Sequence, residues 1–194
     1  MLHGRSGMSN LFSNIYKGKR VLITGHTGFK GSWMSLCLKK LGAEVYGISL
    51  EPNTEPNHWD LLDLNIPSYI CDIRNLEKIE KLFQSIQPDI IFHLAAQAHV
   101  KESWTIPHVS IQTNVVGTLN LLEAIKDIDL KIYKMTFAGS SEEYGNQPQI
   151  EQAGNALNEL SPIAPISPYG VTKVSADFLC QNYVDAYGIP ISIV

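Results

Sequence analysis

Arg20-Val-Leu-Ile-Thr-Gly25-His-Thr-Gly28-Phe-Lys-Gly31 is the stretch whose reading decides the fold. Val21 to Thr24 is a short, mainly apolar run, the pattern of a buried strand. Three glycines at a spacing of three follow at once, and the run Ser32 to Leu41 after them can be helical. The order is strand, glycine turn, helix start. Gly25 suits a tight turn where a Cβ would clash. Gly28 leaves room for a pyrophosphate to approach the backbone, and Gly31 lets the helix pack close to the strand. Free N–H groups and the positive end of the helix dipole would then receive the phosphates. The spacing is G-x-x-G-x-x-G, not the G-x-G-x-x-G of the plain dinucleotide fingerprint. Taken alone it is also the pattern of an ordinary glycine-rich turn, so the surrounding chain decides.

Working outward, Lys19 to Thr24 is expected as a first strand and Phe29 to Leu41 as a first helix, stopped by Gly42. Ala43 to Leu50 reads as a second strand, and Pro52 to Asn57 as turn chemistry. Trp59 to Leu64 suits a short helix and Ser68 to Cys71 a third strand. Asn75 to Ser85 has helical spacing in Leu76, Ile79, Leu82 and Phe83, and Asp89 to Leu94 is a nearly all-apolar fourth strand. Ile106 to Ile125 reads as one long helix, Lys131 to Ala138 as a fifth strand, and Gly145 to Ser167 as a polar loop with several prolines. Pro168 to Tyr187 is a helix with proline in its first turn, and Ile191 to Val194 begins a sixth strand. Apolar strands alternating with helices predict an α/β doubly wound parallel sheet covered on both faces, the Rossmann fold. In that fold the ligand lies beyond the carboxyl ends of the strands, at the switch point beside the first.

The bulk properties narrow the classes. The 194 residues suit one domain, or one large piece of a longer protein, and a net charge of −4 gives no electrostatic reason to expect nucleic acid or an anionic membrane. Cys37, Cys71 and Cys180 form no CxxC and no disulfide framework, which points to a reducing, cytoplasmic compartment. No apolar run reaches transmembrane length, and Met1 to Asn10 lacks the apolar stretch of a signal peptide. Residues 1–17 are expected to be a leader or flexible arm, and residues 18–194 the dinucleotide-binding domain.

Three motifs sit at strand ends and a fourth opens a helix. Asp72-Ile73 closes the third strand; it could meet an adenine, the carboxylate accepting from the amino group while Ile73 packs on the ring, or cap the next helix. His93-Leu94-Ala95-Ala96-Gln97 closes the fourth; its small residues suit a cofactor against the backbone or tight sheet packing. Gly139-Ser140-Ser141-Glu142-Glu143-Tyr144-Gly145 follows the fifth, and its two hydroxyls and two carboxylates concentrate acid/base groups at the right position, although a solvated turn has the same composition. Tyr169-Gly-Val-Thr-Lys173 opens the last helix with a phenol and an ammonium on one face. An ammonium beside a phenol favours the phenolate, the form a base needs. The histidines at positions 26, 58, 93, 99 and 108 have no metal-ligand spacing, and no metal is expected.

With these motifs in this order, residues 18–194 resemble the extended short-chain dehydrogenase/reductase superfamily, and within it the nucleotide-sugar epimerase/dehydratase family. Gly25-His-Thr-Gly-Phe-Lys-Gly-Ser-Trp33 and Pro52 to Asp60 look like CDP-glucose 4,6-dehydratases. Leu94-Ala-Ala-Gln97, His99-Val-Lys101, Ser140-Ser-Glu142 and Ser167-Pro-Tyr-Gly170 look like GDP-mannose 4,6-dehydratases. Gly139 to Gly145 is also similar to the GDP-4-keto-6-deoxymannose reductases.

The resemblance implies a cofactor site formed by Gly25, Thr27, Gly28, Phe29, Lys30, Gly31, Asp72, Ile73, Leu94, Ala95, Ala96, Gln97, Tyr169 and Lys173. It implies a catalytic set of Ser140, Glu142, Tyr169 and Lys173. Tyr169 would take the proton of the sugar 4-hydroxyl, Ser140 would hydrogen-bond the 4-oxygen, and Lys173 would hold the nicotinamide ribose. Glu142 would remove the C5 proton in a dehydratase. A nucleotide-sugar substrate and a homodimer through the two long helices are implied as well. Ser49 stands where a ribose-binding Asp is usual, with Glu51 or nothing in its place; because no arginine is present there for a 2′-phosphate, the cofactor is expected to be NAD, with NADP as the alternative. The family's C-terminal substrate part is expected to be missing, since the chain stops at Val194. A 4-keto-sugar reductase, an epimerase and a cofactor-binding module without turnover remain the alternatives.

Overall fold

A computed structural model of the chain describes residues 11–148 and 156–194. Most of the expected leader, and part of the polar loop before Ser167, lie outside the described residues. Six parallel strands form one sheet: β1 (Arg20–Thr24), β2 (Glu44–Ser49), β3 (Ser68–Ile70), β4 (Ile90–His93), β5 (Lys134–Phe137) and β6 (Ile191–Ile193). Their spatial order is β3-β2-β1-β4-β5-β6. The chain winds outward from β1 one way and then resumes at β4 on its other side, so the expected switch point lies between the ends of β1 and β4. There Thr24 stands in register with His93 on one side and with Ile48 on the other.

The helices between the strands are α1 (Phe29–Lys40), α2 (His58–Leu62), α3 (Leu76–Ile86), α4 (Val100–Thr105), α5 (Pro107–Ile111), α6 (Gly117–Asp127) and α7 (Pro168–Tyr187). Alternate residues of β1 serve opposite faces, as the period of a strand requires. Leu22 joins Ile79, Phe83, Leu121, Leu122 and Cys180 beneath α3, α6 and α7. Val21 and Ile23 join Leu38, Val45 and Ile90 beneath α1. Both faces of β1 are therefore dry. In β5 burial alternates instead: Met135 and Phe137 are buried, while Lys134 and Thr136 are half-buried.

The expected long helix from Ile106 is corrected. The helical region begins earlier, at Val100, breaks at Ile106 (φ −129, ψ 57), and restarts at Pro107. A residue before proline is driven out of the helical region by the proline ring, and proline then fits the first turn of the new helix. The restarted helix contains a π turn, Gln112–Val116, between α5 and α6. That extra residue per turn matters at the site, because it carries Asn114. Smaller differences are confined to element ends, such as β5, which spans four residues where eight were expected.

Candidate active site

The turn after β1 is built by two of its three glycines. Gly25 has φ +79, a left-handed conformation, and a Cβ on it would lie 2.9 Å from the amide nitrogen of Ala95. A Cβ on Gly31 would lie 2.1 Å from the Gly25 carbonyl oxygen. Gly25 thus lets the ends of β1 and β4 meet, and Gly31 lets α1 sit on the turn. Gly28 is different. It is the N-cap of α1, its φ of −74 is open to any residue, and a Cβ on it would meet only the Gly25 carbonyl oxygen, at 3.3 Å. The fold gives Gly28 little internal reason to be glycine, and the bare backbone there leaves room for an external group to approach. No side chain caps α1, its first turn carries no carboxylate, and Lys30 stands there instead. A cation in the first turn opposes the helix dipole unless an anion is bound beside it. These features fit the pyrophosphate of a dinucleotide.

Thr27 is committed to the protein. Its hydroxyl donates to the Leu50 carbonyl (2.9 Å) and so accepts from the Ser49 hydroxyl at 2.7 Å. Ser49, which stands where the family usually has a ribose-binding Asp, is buried and its hydroxyl is occupied. Asp72 makes a fork of hydrogen bonds with the Arg74 guanidinium (2.9 and 3.0 Å to Nε) and also accepts from the Arg74 backbone N–H at 2.9 Å. The Arg74 side chain holds the Asp72 carboxyl below the usual carboxylate range. Ile73 is buried against Gly117, where a Cβ would meet the Ile73 side chain at 2.6 Å. Leu94, Ala95 and Ala96 are half-buried at the end of β4. The Gln97 side chain is taken up locally, donating to the His99 carbonyl and to Glu102 (both 3.1 Å) and accepting from Ser110 at 2.9 Å.

A chain of buried polar groups locks these strand ends together. His93 lies with Nδ1 2.7 Å from Thr24 Oγ1 and Nε2 2.9 Å from Thr118 Oγ1. The Thr118 hydroxyl donates to the Asn114 carbonyl at 2.6 Å, so it accepts from His93 Nε2–H. Nδ1 is then the acceptor for Thr24, whose oxygen in turn accepts the Ala95 N–H at 3.2 Å. Every member is satisfied only with the ring neutral. Burial, with a smaller push from the Lys173 charge, lowers the His93 pKa to about 3. Asn114, thrust inward by the π turn, accepts from the Gln97 N–H (2.8 Å) and donates to the Gln97 carbonyl (3.0 Å) and the Thr172 hydroxyl (2.9 Å). It ties the end of β4 to α7.

The second half of the site is the turn after β5 and the start of α7. Ser141–Glu143 forms one 3-10 turn capped by Ser140, whose Oγ accepts from the Glu142 N–H at 3.2 Å. In return Glu143 Oε1 accepts the Ser140 N–H at 2.9 Å, a reciprocal capping box. Among the described residues the hydroxyl proton of Ser140 has no acceptor. A Cβ on Gly170 would lie 2.7 Å from the Glu142 carbonyl oxygen, so the start of α7 rests directly on the turn. Ser167 caps α7, and Ser103 of α4 accepts the Tyr169 N–H at 3.0 Å. These contacts bring Ser140, Glu142 and Tyr169 to one end of the sheet. Lys173 is buried, donates to the Ala138 carbonyl, and lies 4.1 Å over the Phe137 ring. Burial lowers its pKa to about 8. Among the described residues no hydrogen bond joins Lys173 to Tyr169, although they share a helix face.

His93, Asn114, Ser103 and Glu143 are the site-building residues missing from the sequence-derived set. Only His93 and Glu143 lay inside quoted motifs. Asn114 and Ser103 depended on a π turn and a short helix that periodicity does not reveal. Among the described residues no cluster of three or more His, Cys, Asp or Glu side chains could hold a metal ion.

Residues 22–194 match the family model described as GDP-mannose 4,6 dehydratase. A CDP-glucose 4,6-dehydratase of Salmonella typhimurium is 36% identical over 179 residues, which is 91% of this chain and 48% of that protein. A GDP-mannose 4,6-dehydratase of Vibrio cholerae is 34% identical over 180 residues, 88% of this chain and 47% of that protein. Among solved structures, the Thermus thermophilus UDP-glucose 4-epimerase in complex with NAD superposes with a TM-score of 0.78 at 31% identity, over 90% of this chain and 53% of that one. The chain spans about half the length of these relatives.

Proposed function

Because the chain belongs to the GDP-mannose 4,6 dehydratase family, we propose that it is the dinucleotide-binding and catalytic part of a nucleotide-sugar 4,6-dehydratase acting on GDP-mannose or CDP-glucose. The observation that carries this reading is the seating of the Ser140–Glu142 turn against the start of α7, at Gly170. That seating groups a hydroxyl, a carboxylate and a phenol at one end of the sheet, which supports a shared role on one substrate.

A dinucleotide held by the turn at Gly25, Gly28 and Gly31 would supply reversible hydride acceptance, with no net oxidation or reduction over the cycle. The chain's own residues handle protons and position. Tyr169 takes the 4-hydroxyl proton as C4 becomes a ketone, and Ser140 donates to that oxygen. The ketone acidifies the C5 proton, which Glu142 removes as the C6 hydroxyl departs as water. Lys173 holds the nicotinamide ribose. NAD is the better fit over NADP: the loop from Ser49 to Asp60 carries Glu51, Glu55 and Asp60 and no lysine or arginine, a field that repels a 2′-phosphate. A homodimer is supported by apolar side chains left at the surface of α7, where Val171 and Phe178 are 50% and 52% exposed and seven residues apart on one face. Leu122, by contrast, is fully buried in this chain's own core. The free cysteines fit a reducing, cytoplasmic setting. Among the described residues no helix is long and apolar enough to cross a membrane.

Epimerase chemistry is the second reading, favoured by the likeness to an NAD-bound 4-epimerase. Incubation of the intact gene product with GDP-mannose or CDP-glucose separates the readings. A 4-keto-6-deoxy sugar formed without net NAD(P)H consumption supports the dehydratase. A C4 epimer, or stoichiometric NADPH oxidation with a 4-keto sugar, replaces it with an epimerase or a reductase.

A further inference from the structure

Glu143 is 4% exposed, whereas its neighbour Glu142 is half-buried. Closing the capping box on the Ser140 N–H does not require that burial, because a solvated glutamate or a glutamine could accept the same bond. Removing a carboxylate from water costs free energy unless something nearby compensates it. The compensation lies on α7. Lys173 is itself 4% exposed, and among the described residues its ammonium touches only the Ala138 carbonyl and the Phe137 ring, neither of which carries a full negative charge. Glu143 Oε1 and Lys173 Nζ grip the same short stretch of backbone from two sides, one at the Ser140 amide and the other at the Ala138 carbonyl. Asp177 stands one helical turn beyond Lys173 and faces the same carboxyl.

We propose that Glu143 is a positioning residue: it fixes the Ser140 turn and serves as the buried counter-charge that keeps Lys173 an ammonium. The assignment of Lys173 to the dinucleotide rests on the functional reading above, and the charge linkage does not.

The groups around the cluster agree with this balance. Burial and then Asp177 push Glu143 up to about 7. Burial lowers Lys173 to about 8, against the opposing pull of Glu143, Cys180 and Asp177, while Lys30 on α1 pushes Lys173 further down. Cys180, the next group along α7, is pushed up to about 12 by burial and is a neutral thiol. Tyr144 is also raised, and His93 is neutral. Without the Glu143 charge, Lys173 would lose its proton near neutral pH and could neither donate to a ribose hydroxyl nor favour a phenolate.

The test uses Glu143→Gln, which keeps the acceptor for Ser140 and removes the charge. Lys173 is followed by NMR in protein carrying 13C-labelled lysine, its signal assigned by loss in Lys173→Arg. Its titration midpoint falls in Glu143→Gln by about one pH unit, a tenfold loss of proton affinity, the scale expected on removing a nearby opposite charge. An unmoved or raised midpoint in the folded variant overturns the proposal. NADH binding, read by its fluorescence, weakens more at pH 8.5 than at pH 6.5 in Glu143→Gln, conditions chosen roughly either side of neutrality. If the Lys173 midpoint falls while NADH binding is unaltered at both, the charge linkage stands and Lys173 is removed from the dinucleotide site.

Discussion

The Gly31 Cα approaches the Gly25 carbonyl so closely that an added methyl would lie 2.1 Å from that oxygen. Both partners are backbone, so neither can swing aside. Gly31→Ala must therefore push α1 off the turn, and the expected cost is at or above the upper end of the ~1–3 kcal/mol typical of overpacking. Urea unfolding of the purified variant measures it. A stability within about 0.5 kcal/mol of the parent, the usual range for a surface change, would show that the packing here is looser than described.

Gly28 should behave differently. Its backbone angles suit any residue and its single close neighbour is at 3.3 Å, so Gly28→Val should fold. Its isopropyl group would stand where the phosphates approach the first turn of α1. Thermal unfolding should change little while NADH affinity is lost. Undiminished NADH affinity in the folded variant would take the pyrophosphate away from this loop.

Stability should fall with acid in a way that names its groups. Burial lowers His26 to about 4 and His93 to about 3. Both rings are neutral when folded and protonate near 6.5 when unfolded, so their contribution is fully present above pH 6.5 and is lost as pH falls towards 4. Glu143, raised to about 7, acts in the opposite sense: its contribution is present below its unfolded value of 4.5 and is lost as pH rises through 7. Between 4.5 and 6.5 the unfolded chain gains up to two protons from the histidines and the folded chain keeps one on Glu143. The net slope is about one proton, roughly 1.4 kcal/mol per pH unit. Denaturant unfolding across this window should show it, and Glu143→Gln should steepen it. A flat profile would mean that the two rings are not buried neutral.

The parallel order of the sheet and its switch point could be read from the chain because apolar runs, glycine turns and helical spacings all repeat in one sense from Lys19 onward. The glycine loop was legible for the same reason, since Gly25 and Gly31 each have a distinct steric task within the fold. The break at Ile106 was carried by Pro107, but an apolar periodicity running across it concealed the signal. The inward turn of Asn114 was not legible, because a π turn leaves no mark on composition. The side chains of Thr27 and Gln97 looked available for a ligand and are instead spent on Leu50, Ser49, His99, Glu102 and Ser110. Sequence shows which groups stand near a site, and only the hydrogen-bond partners show which are free.

Assembly should depend on the exposed stripe of α7. Phe178 is 52% exposed beside the half-buried Val174, and Val171 lies on the same face. Phe178→Glu should move the intact gene product from dimer to monomer in sedimentation velocity without unfolding it. A parent protein that sediments as a monomer at every concentration would exclude pairing through this face.

Tyr169 and Glu142 occupy different roles in the account, and they should fail differently. Tyr169→Phe should suppress oxidation at C4 itself, by the ~10²–10⁴-fold typical of lost general acid–base catalysis. Glu142→Gln should leave that oxidation intact and stop the loss of the C5 proton. The deciding measurement is a single turnover of the Glu142→Gln variant of the intact gene product with GDP-mannose or CDP-glucose, following NADH absorbance alongside product analysis. The account predicts that reduced cofactor accumulates while no 4-keto-6-deoxy sugar appears. Formation of that sugar at the parent rate, with no accumulation of NADH, would contradict it.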